Sequence, residues 1–169
     1  MNTIEAIYTR RSIRKYKKEK LSPEIIDKLI RAGMQAPTAG NQRPWHFLIV
    51  ENTDVILQLP VVHPYAQMVR DAPIIVVICG DLNLEKHVGY WDQDCAAASM
   101  CMCLAAHEIG IGSCWLGVHP RQDRIDGIRD ILKLPANIIP YSVIVLGYPD
   151  EELEIIDRFL PDRIHIEKW

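Results

Sequence analysis

The sequence predicts an α+β fold in which helices and a β-sheet pack as layers. Three observations predict it. Short runs rich in branched and aromatic residues, Trp45 to Val50, Pro73 to Cys79 and Tyr141 to Gly147, have the length and composition of strands. Ser22-Pro23 pairs a capping hydroxyl with a proline at the first helical position, ahead of apolar residues at helical spacing. Asp92 to Ile109 is a long run of alanine, methionine and cysteine, apolar nearly all round, and reads as a deeply buried central helix. At 169 residues the chain suits one domain, residues 1–169, with no linker or repeat, and can bury a core without disulfides.

In chain order, Asn2-Thr3-Ile4-Glu5 forms a capping box that starts a helix ending near Arg10. The helix after Ser22 buries Ile26, Leu29, Ile30 and Gly33 and ends at Pro37. Ala36 to Pro44 is then a loop. Trp45 to Val50 is the first strand. Pro73 to Cys79, apolar on both faces, is a central one. Gly110-Ile111-Gly112 stops the long helix, and Ser113 to Val118 is a third strand. Arg124 to Leu132 is a helix, and Tyr141 to Gly147 the fourth strand. Arg158 to Trp169 has no partner within its own chain, and the alternation of Ile164 to Trp169 suits an edge strand or an arm. The pattern alone does not choose parallel or antiparallel pairing.

Composition excludes several classes. Hydrophobic residues make up 49% and charged residues 24%, with a net charge of −3 and a pI near 6.1, so bulk charge points to neither nucleic acid nor membrane. No apolar stretch is long enough to span a bilayer, and no signal peptide is read at the N-terminus. Five cysteines, three in the long helix, are the thiol usage of a reducing compartment, so a cytoplasmic location is expected. His63, His87, His107, His119 and His165 show no ligand-like spacing, and no Cys-x-x-Cys set occurs, so no metal site is expected. The usual glycine-rich nucleotide fingerprints are absent.

Three segments carry chemistry. Arg10-Arg11-Ser12-Ile13-Arg14-Lys15-Tyr16 gathers three guanidinium groups and a hydroxyl, the donors of a phosphate cradle. It is equally a solvated basic stretch, although Ile13 and Tyr16 are spaced to anchor it on the protein. Ala36 to Trp45 is a turn-forming loop whose Asn41 and Gln42 offer the donors and acceptors that a heteroaromatic ring edge needs. Alone it reads as an ordinary helix-to-strand connection. Gly117 in a strand marks either close approach of a ligand or a packing contact or bulge.

In order and spacing the segments resemble the FMN-dependent nitroreductase family nearly end to end. Arg10 to Tyr16 looks like its Arg-Arg-Ser-x-Arg-x-Phe/Tyr, and Ala36 to Trp45 like its Ala-Pro-Ser-x-x-Asn-x-Gln-Pro-Trp. Gly110 to Trp115, Leu146-Gly147-Tyr148-Pro149 and the tail from Arg163 to Trp169 look like its later signatures. The resemblance implies an α/β/α domain with a mixed, largely antiparallel sheet and an intertwined homodimer with FMN at the interface. It implies that Arg10, Arg11 and Ser12 hold the FMN phosphate and ribityl tail, and that Arg14 reaches the pyrimidine edge of the ring. Asn41 would bond the ring edge, the backbone at Leu116 and Gly117 would lie near the reactive nitrogen, and Arg158 or Arg163 would close on the phosphate. Arg43 stands where glutamine is usual, a cation expected to alter flavin potential or substrate choice. Residues 57–71 are short for the extra helices of larger members, which implies a more open pocket.

The implied activity is ping-pong transfer of a hydride from NADH or NADPH through FMN to a small-molecule acceptor such as a nitroaromatic or quinone. The cofactor carries the hard step, and no catalytic side chain is needed. Flavin reduction or dehalogenation on the same scaffold, and flavin binding without turnover, are the alternatives.

Overall fold

The computed structural model describes all 169 residues. Helix α1 (Thr3–Thr9) begins at the capping box, in which Asn2 accepts from the Glu5 N–H at 2.9 Å while Glu5 accepts from the Asn2 N–H. Helix α2 is Pro23–Met34, capped by Ser22. Strand β1 is Trp45–Val50, followed by two single-turn helices, α3 (Thr53–Ile56) and α4 (Leu59–Val62). Strand β2 is Ile74–Asp81, helix α5 Trp91–Glu108, strand β3 Gly112–Gly117, helix α6 Gln122–Leu132 and strand β4 Ile138–Gly147.

The four strands form one sheet in the order β1-β2-β4-β3, every neighbouring pair antiparallel. The parallel element of the expected mixed sheet is confined to a single bridge, Ser12 to Ser113. The period-two alternation of strands assigns side chains to two faces. Ile75, Val77, Cys79, Val143 and Val145 pack on one face with Tyr16, α4 and α6. Ile74, Val76, Ile78, Ile144 and Leu146 pack on the other with α2 and α5. Strand β4 reaches back to Ile138, earlier than Tyr141. The register slips opposite Ile78 and Cys79, which absorbs Pro140 without asking it for a hydrogen bond. Gly33 lets α2 settle on β1, since a Cβ there would sit 2.8 Å from the Phe47 ring.

One expectation is corrected and one is narrowed. Helix α5 is not deeply buried all round. Asp94, Cys95, Ala98, Ser99, Met102, Cys103 and Ala106 face the sheet and α2, but Gln93 and Met100 reach the surface. Its small residues make it look uniformly apolar, and α1 also lies against its C-terminal part, where Thr9 bonds His107 at 2.7 Å. Of the edge strand and the arm read for Ile164 to Trp169, no strand forms. The tail contains one 3-10 turn, Pro161–Arg163, and residues 152–169 are exposed. No helix is long and apolar enough to cross a membrane.

A buried carboxylate joins the two ends of the α5 layer. Asp94, in the first turn of α5, accepts from the Thr38 hydroxyl at 2.8 Å, the Ala39 N–H at 2.9 Å and the Gln42 amide at 2.7 Å. Its charge also sits favourably at the positive end of the helix. The Gln42 carbonyl in turn accepts from the Lys86 and His87 N–H groups at 2.8 and 3.0 Å. The loop from Thr38 to Arg43 is thereby held although Gly40, Asn41 and Arg43 all have left-handed backbone (φ 51°, 54° and 48°). Asp94→Ala strands three donors, and we expect a loss of about 1–3 kcal/mol, read as a lower urea midpoint at unchanged m-value. An unchanged midpoint would show that the loop is held by something else.

Candidate cofactor site

The segment Arg10 to Tyr16 is sewn onto the free edge of β3. The Ile13 N–H donates to the Ser113 carbonyl at 2.9 Å, and the Lys17 N–H to the Tyr148 carbonyl at 2.9 Å. Tyr16 is buried, with its hydroxyl turned back to the Ile13 carbonyl. Gly112 admits Ile13, since a Cβ there would lie 2.9 Å from its Cγ2. The apolar residues of the segment are thus anchors, and the guanidinium groups are left to point elsewhere.

Two cavities flank this segment. One, of about 610 Å³, is lined by Arg10, Arg11 and Arg158 together with Ile7, Ile155 and Phe159. Arg11 also donates to the Glu154 carbonyl, which ties the start of the tail down beside it. The other, of about 530 Å³, is lined by Arg14, Tyr65, Met68, Leu116, Gly117 and Arg124, among others. Ser12 lies between them in the chain, bridged to Ser113. A Cβ on Gly117 would meet nothing within 4 Å, so the glycine answers no packing demand of the protein and leaves the strand backbone open to the cavity. No register shift occurs at Gly117, which removes the bulge reading as well.

The site residues read from the sequence therefore separate into groups. Arg10, Arg11 and Arg158 share one cavity, and Arg14, Leu116 and Gly117 share the other. Asn41 and Arg43 line neither. They are exposed and precede β1, at the sheet edge opposite β3. Three strand spacings, about 14 Å, separate those edges. Arg163 is exposed in the tail turn and lines neither cavity. Gln42, which the sequence offered as a ring-edge partner beside Asn41, is buried and its amide is consumed by Asp94 and the 86–87 backbone.

Residues 57–71 supply a wall that the sequence did not disclose. The stretch folds into single turns whose Leu59 and Val69 are buried, and it sets His63 and Tyr65 at the second cavity. His63 is 1% exposed, with Nε2 2.9 Å from the Gly117 carbonyl, so Nε2 carries the proton and donates. Arg124 donates to the same carbonyl at 2.8 Å, and its guanidinium lies 5.6 Å from the centre of the Tyr65 ring. His63 was only one of several scattered histidines in the sequence, and Arg124 belonged to no motif.

Burial lowers the His63 pKa below the usual histidine value. The Gly117 carbonyl pulls the other way, and the Arg124 charge lowers it again. Burial likewise raises the thiol of Cys114, which Arg14 and Arg10 partly offset, and pushes Cys79 up to about 12. These thiols are core groups and not nucleophiles. Between its lowered folded pKa and the ordinary value, His63 binds a proton only in the unfolded chain. Stability should therefore rise with pH through that window and fall on the acid side. Urea midpoints between about pH 5 and 8 should show this rise, and His63→Leu should make it shallower. An unchanged slope would mean that His63 titrates normally.

The model of the Nitroreductase family matches residues 7–60 and 57–148. A Methanothermobacter thermautotrophicus protein described as "Putative NADH dehydrogenase/NAD(P)H nitroreductase" is 50% identical over 169 residues, 100% of this chain and 88% of that one. A crystal structure of a protein so described from Parabacteroides distasonis superposes with a TM-score of 0.95 at 39% identity, covering 100% of both chains. An FMN-dependent nitroreductase of Clostridium difficile superposes with a TM-score of 0.90 at 29% identity, covering 98% of this chain and 99% of its own. The motif order, the layered antiparallel sheet and these matches agree, and the chain belongs to the nitroreductase family.

Proposed function

We propose that this protein is an FMN-dependent oxidoreductase that takes a hydride from NADH or NADPH and passes electrons to a nitroaromatic, a quinone or a related small acceptor. The observation that carries this reading is the pair of cavities on either side of one anchored segment. Three guanidinium groups, Arg10, Arg11 and Arg158, surround the first. Such a cluster suits a phosphate, which arginine grips with two parallel hydrogen bonds. Ser12, between the two groups of arginines in the chain and bridged to Ser113, would offer its hydroxyl to the ribityl chain. The second cavity is partly apolar and is lined by Arg14, Leu116 and Gly117 among others, with open space over Gly117. These residues fit FMN in size, charge and order along the chain. The relatives' descriptions, an NAD(P)H nitroreductase and an FMN-dependent nitroreductase, support the same reading.

Bound FMN would supply two-electron hydride chemistry, alternately accepting from the nicotinamide and delivering to the acceptor. The residues of this chain hold, orient and screen. Arg10, Arg11, Ser12 and Arg158 fix the phosphate end, and Arg14 presents positive charge where the ring gains electrons. Arg158 is the tail arginine assigned to the phosphate, since Arg163 lines neither cavity. No side chain is required as a nucleophile, in keeping with thiols whose pKa values are raised.

The functional unit we propose is a homodimer with a site shared between chains. Asn41 and Arg43 stand at the edge of the sheet opposite the cavities, so they reach FMN only if a partner brings them. The tail supports this reading, since Ile155, Ile156, Phe159, Ile164, Ile166 and Trp169 are all more than half exposed or close to it. So large an apolar arm is expected to be covered by another surface. Residues 1–169 act as one FMN-binding unit in this scheme, and a reducing cytoplasm suits the five free cysteines.

The test is the visible spectrum of the purified protein supplied with FMN, before and after anaerobic NADH and then NADPH, on a sample whose mass is measured by sedimentation. A protein-bound flavin spectrum that bleaches, on a species of twice the 19.3 kDa chain mass, is the expected outcome. Bound flavin that stays oxidised would replace the enzyme with a flavin-binding protein, and absence of bound flavin would overturn the reading.

A further inference from the structure

The second cavity holds a cation that the family resemblance does not account for. Its lining includes two guanidinium groups, Arg14 and Arg124, and no aspartate or glutamate. Neither arginine forms an ion pair anywhere in the chain. Arg124 is not placed there for the sake of its helix. It lies in the first turn of α6, where a positive charge opposes the helix dipole. It is nevertheless held firmly. One guanidinium nitrogen donates to the Gly117 carbonyl at 2.8 Å, and the plane rests against the Tyr65 ring at 5.6 Å. His63 donates to the same carbonyl, so that oxygen takes both donors and the two side chains fix one another. The buried Nε of Arg124 has no partner. An unpaired cation in a partly desolvated wall is costly unless an anion completes the site.

We propose that Arg124 is a second guanidinium contact for the flavin, acting beside Arg14 on the side of the ring that becomes anionic on reduction. The inference rests on the FMN reading of this cavity. A hydride from NAD(P)H brings two electrons and one proton, leaving NAD(P)+ and a flavin that carries one more negative charge than before. A cation facing that charge stabilises the reduced cofactor more than the oxidised one, and so raises its reduction potential. His63 and Tyr65 are positioning residues that keep Arg124 turned into the cavity.

The experiment compares FMN-loaded wild type with Arg124→Gln, Arg124→Lys and, as a control, Arg14→Gln. FMN affinity is read from quenching of flavin fluorescence, and the midpoint potential from an anaerobic dye-coupled titration. Arg124→Gln is expected to weaken the reduced form about tenfold more than the oxidised form, a shift of about 30 mV to lower potential. Arg124→Lys, which keeps the charge without the fork, should recover part of the shift and guards against a variant that merely misfolds. An unchanged potential and FMN affinity in Arg124→Gln, while Arg14→Gln moves either, would overturn the assignment of Arg124. So would an unchanged potential with a raised KM for NADPH or for an anionic acceptor, which would hand Arg124 to the second ligand. A wild type that binds no FMN would instead remove the cofactor reading beneath it.

Discussion

The structure depends on the burial of strands β2 and β4, which have no polar side to offer to water. Ile75, Val77 and Val143 on one face and Ile74, Ile78 and Ile144 on the other are almost wholly sequestered. A sheet apolar on both faces requires a layer on each. Helices α2 and α5 form one, and α4, α6 and the segment around Tyr16 the other. The second layer is thinner and assembled from short pieces, so it leaves gaps. The cavity at Gly117 is one of them, walled by the single turns of residues 53–70 and by the start of α6. The candidate site thus lies where short connections, and not long helices, must cover a core.

Electrostatics gives that gap its character. The net charge of the chain is negative, yet the segment beside β3 and the first turn of α6 present guanidinium groups without carboxylate partners. Elsewhere several buried polar groups are fully paired, as Asp94 is with three donors and Ser99 with Ser142 at 2.9 Å, although His119 Nδ1 and the Nε of Arg129 are buried without a partner. A buried acid with all its donors in place is part of the scaffold. Arg124 differs from Arg129, whose Nε is also unpaired, in having no carboxylate partner and in lining a cavity.

Much of the fold was legible because the signals were local. The Asn2–Glu5 capping box, the Ser22-Pro23 start and the two-faced apolar strand read at Pro73 to Cys79 each act over a few residues, and each forms, the strand as Ile74–Asp81. Helices α3 and α4 were not legible. Four residues make barely one turn, too few for a 3.6-residue period to appear. The exposed side of α5 was hidden because alanine, methionine and cysteine suit a core and a surface between chains alike. At the site, the arginines of segment 10–14 could be read because they sit together in sequence. His63, Tyr65 and Arg124 could not, since they come together only through the packing of α6 against the 57–71 wall. Gln42 misled for the same reason. An amide beside Asn41 looks available until Asp94, fifty-two positions away, is seen to use it.

The left-handed backbone at Asn41 and Arg43 has a thermodynamic consequence for recognition. A side-chain-bearing residue in that region costs about 1–2 kcal/mol, and the fold meets the cost in advance through the Asp94 and Thr38 hydrogen bonds, the latter accepting from the Arg43 N–H at 2.9 Å. Whatever docks against Asn41 or Arg43 finds a loop already ordered. Little conformational entropy is then lost on contact, and a small, fast-exchanging ligand can be gripped and released without the loop having to fold and unfold at each turn.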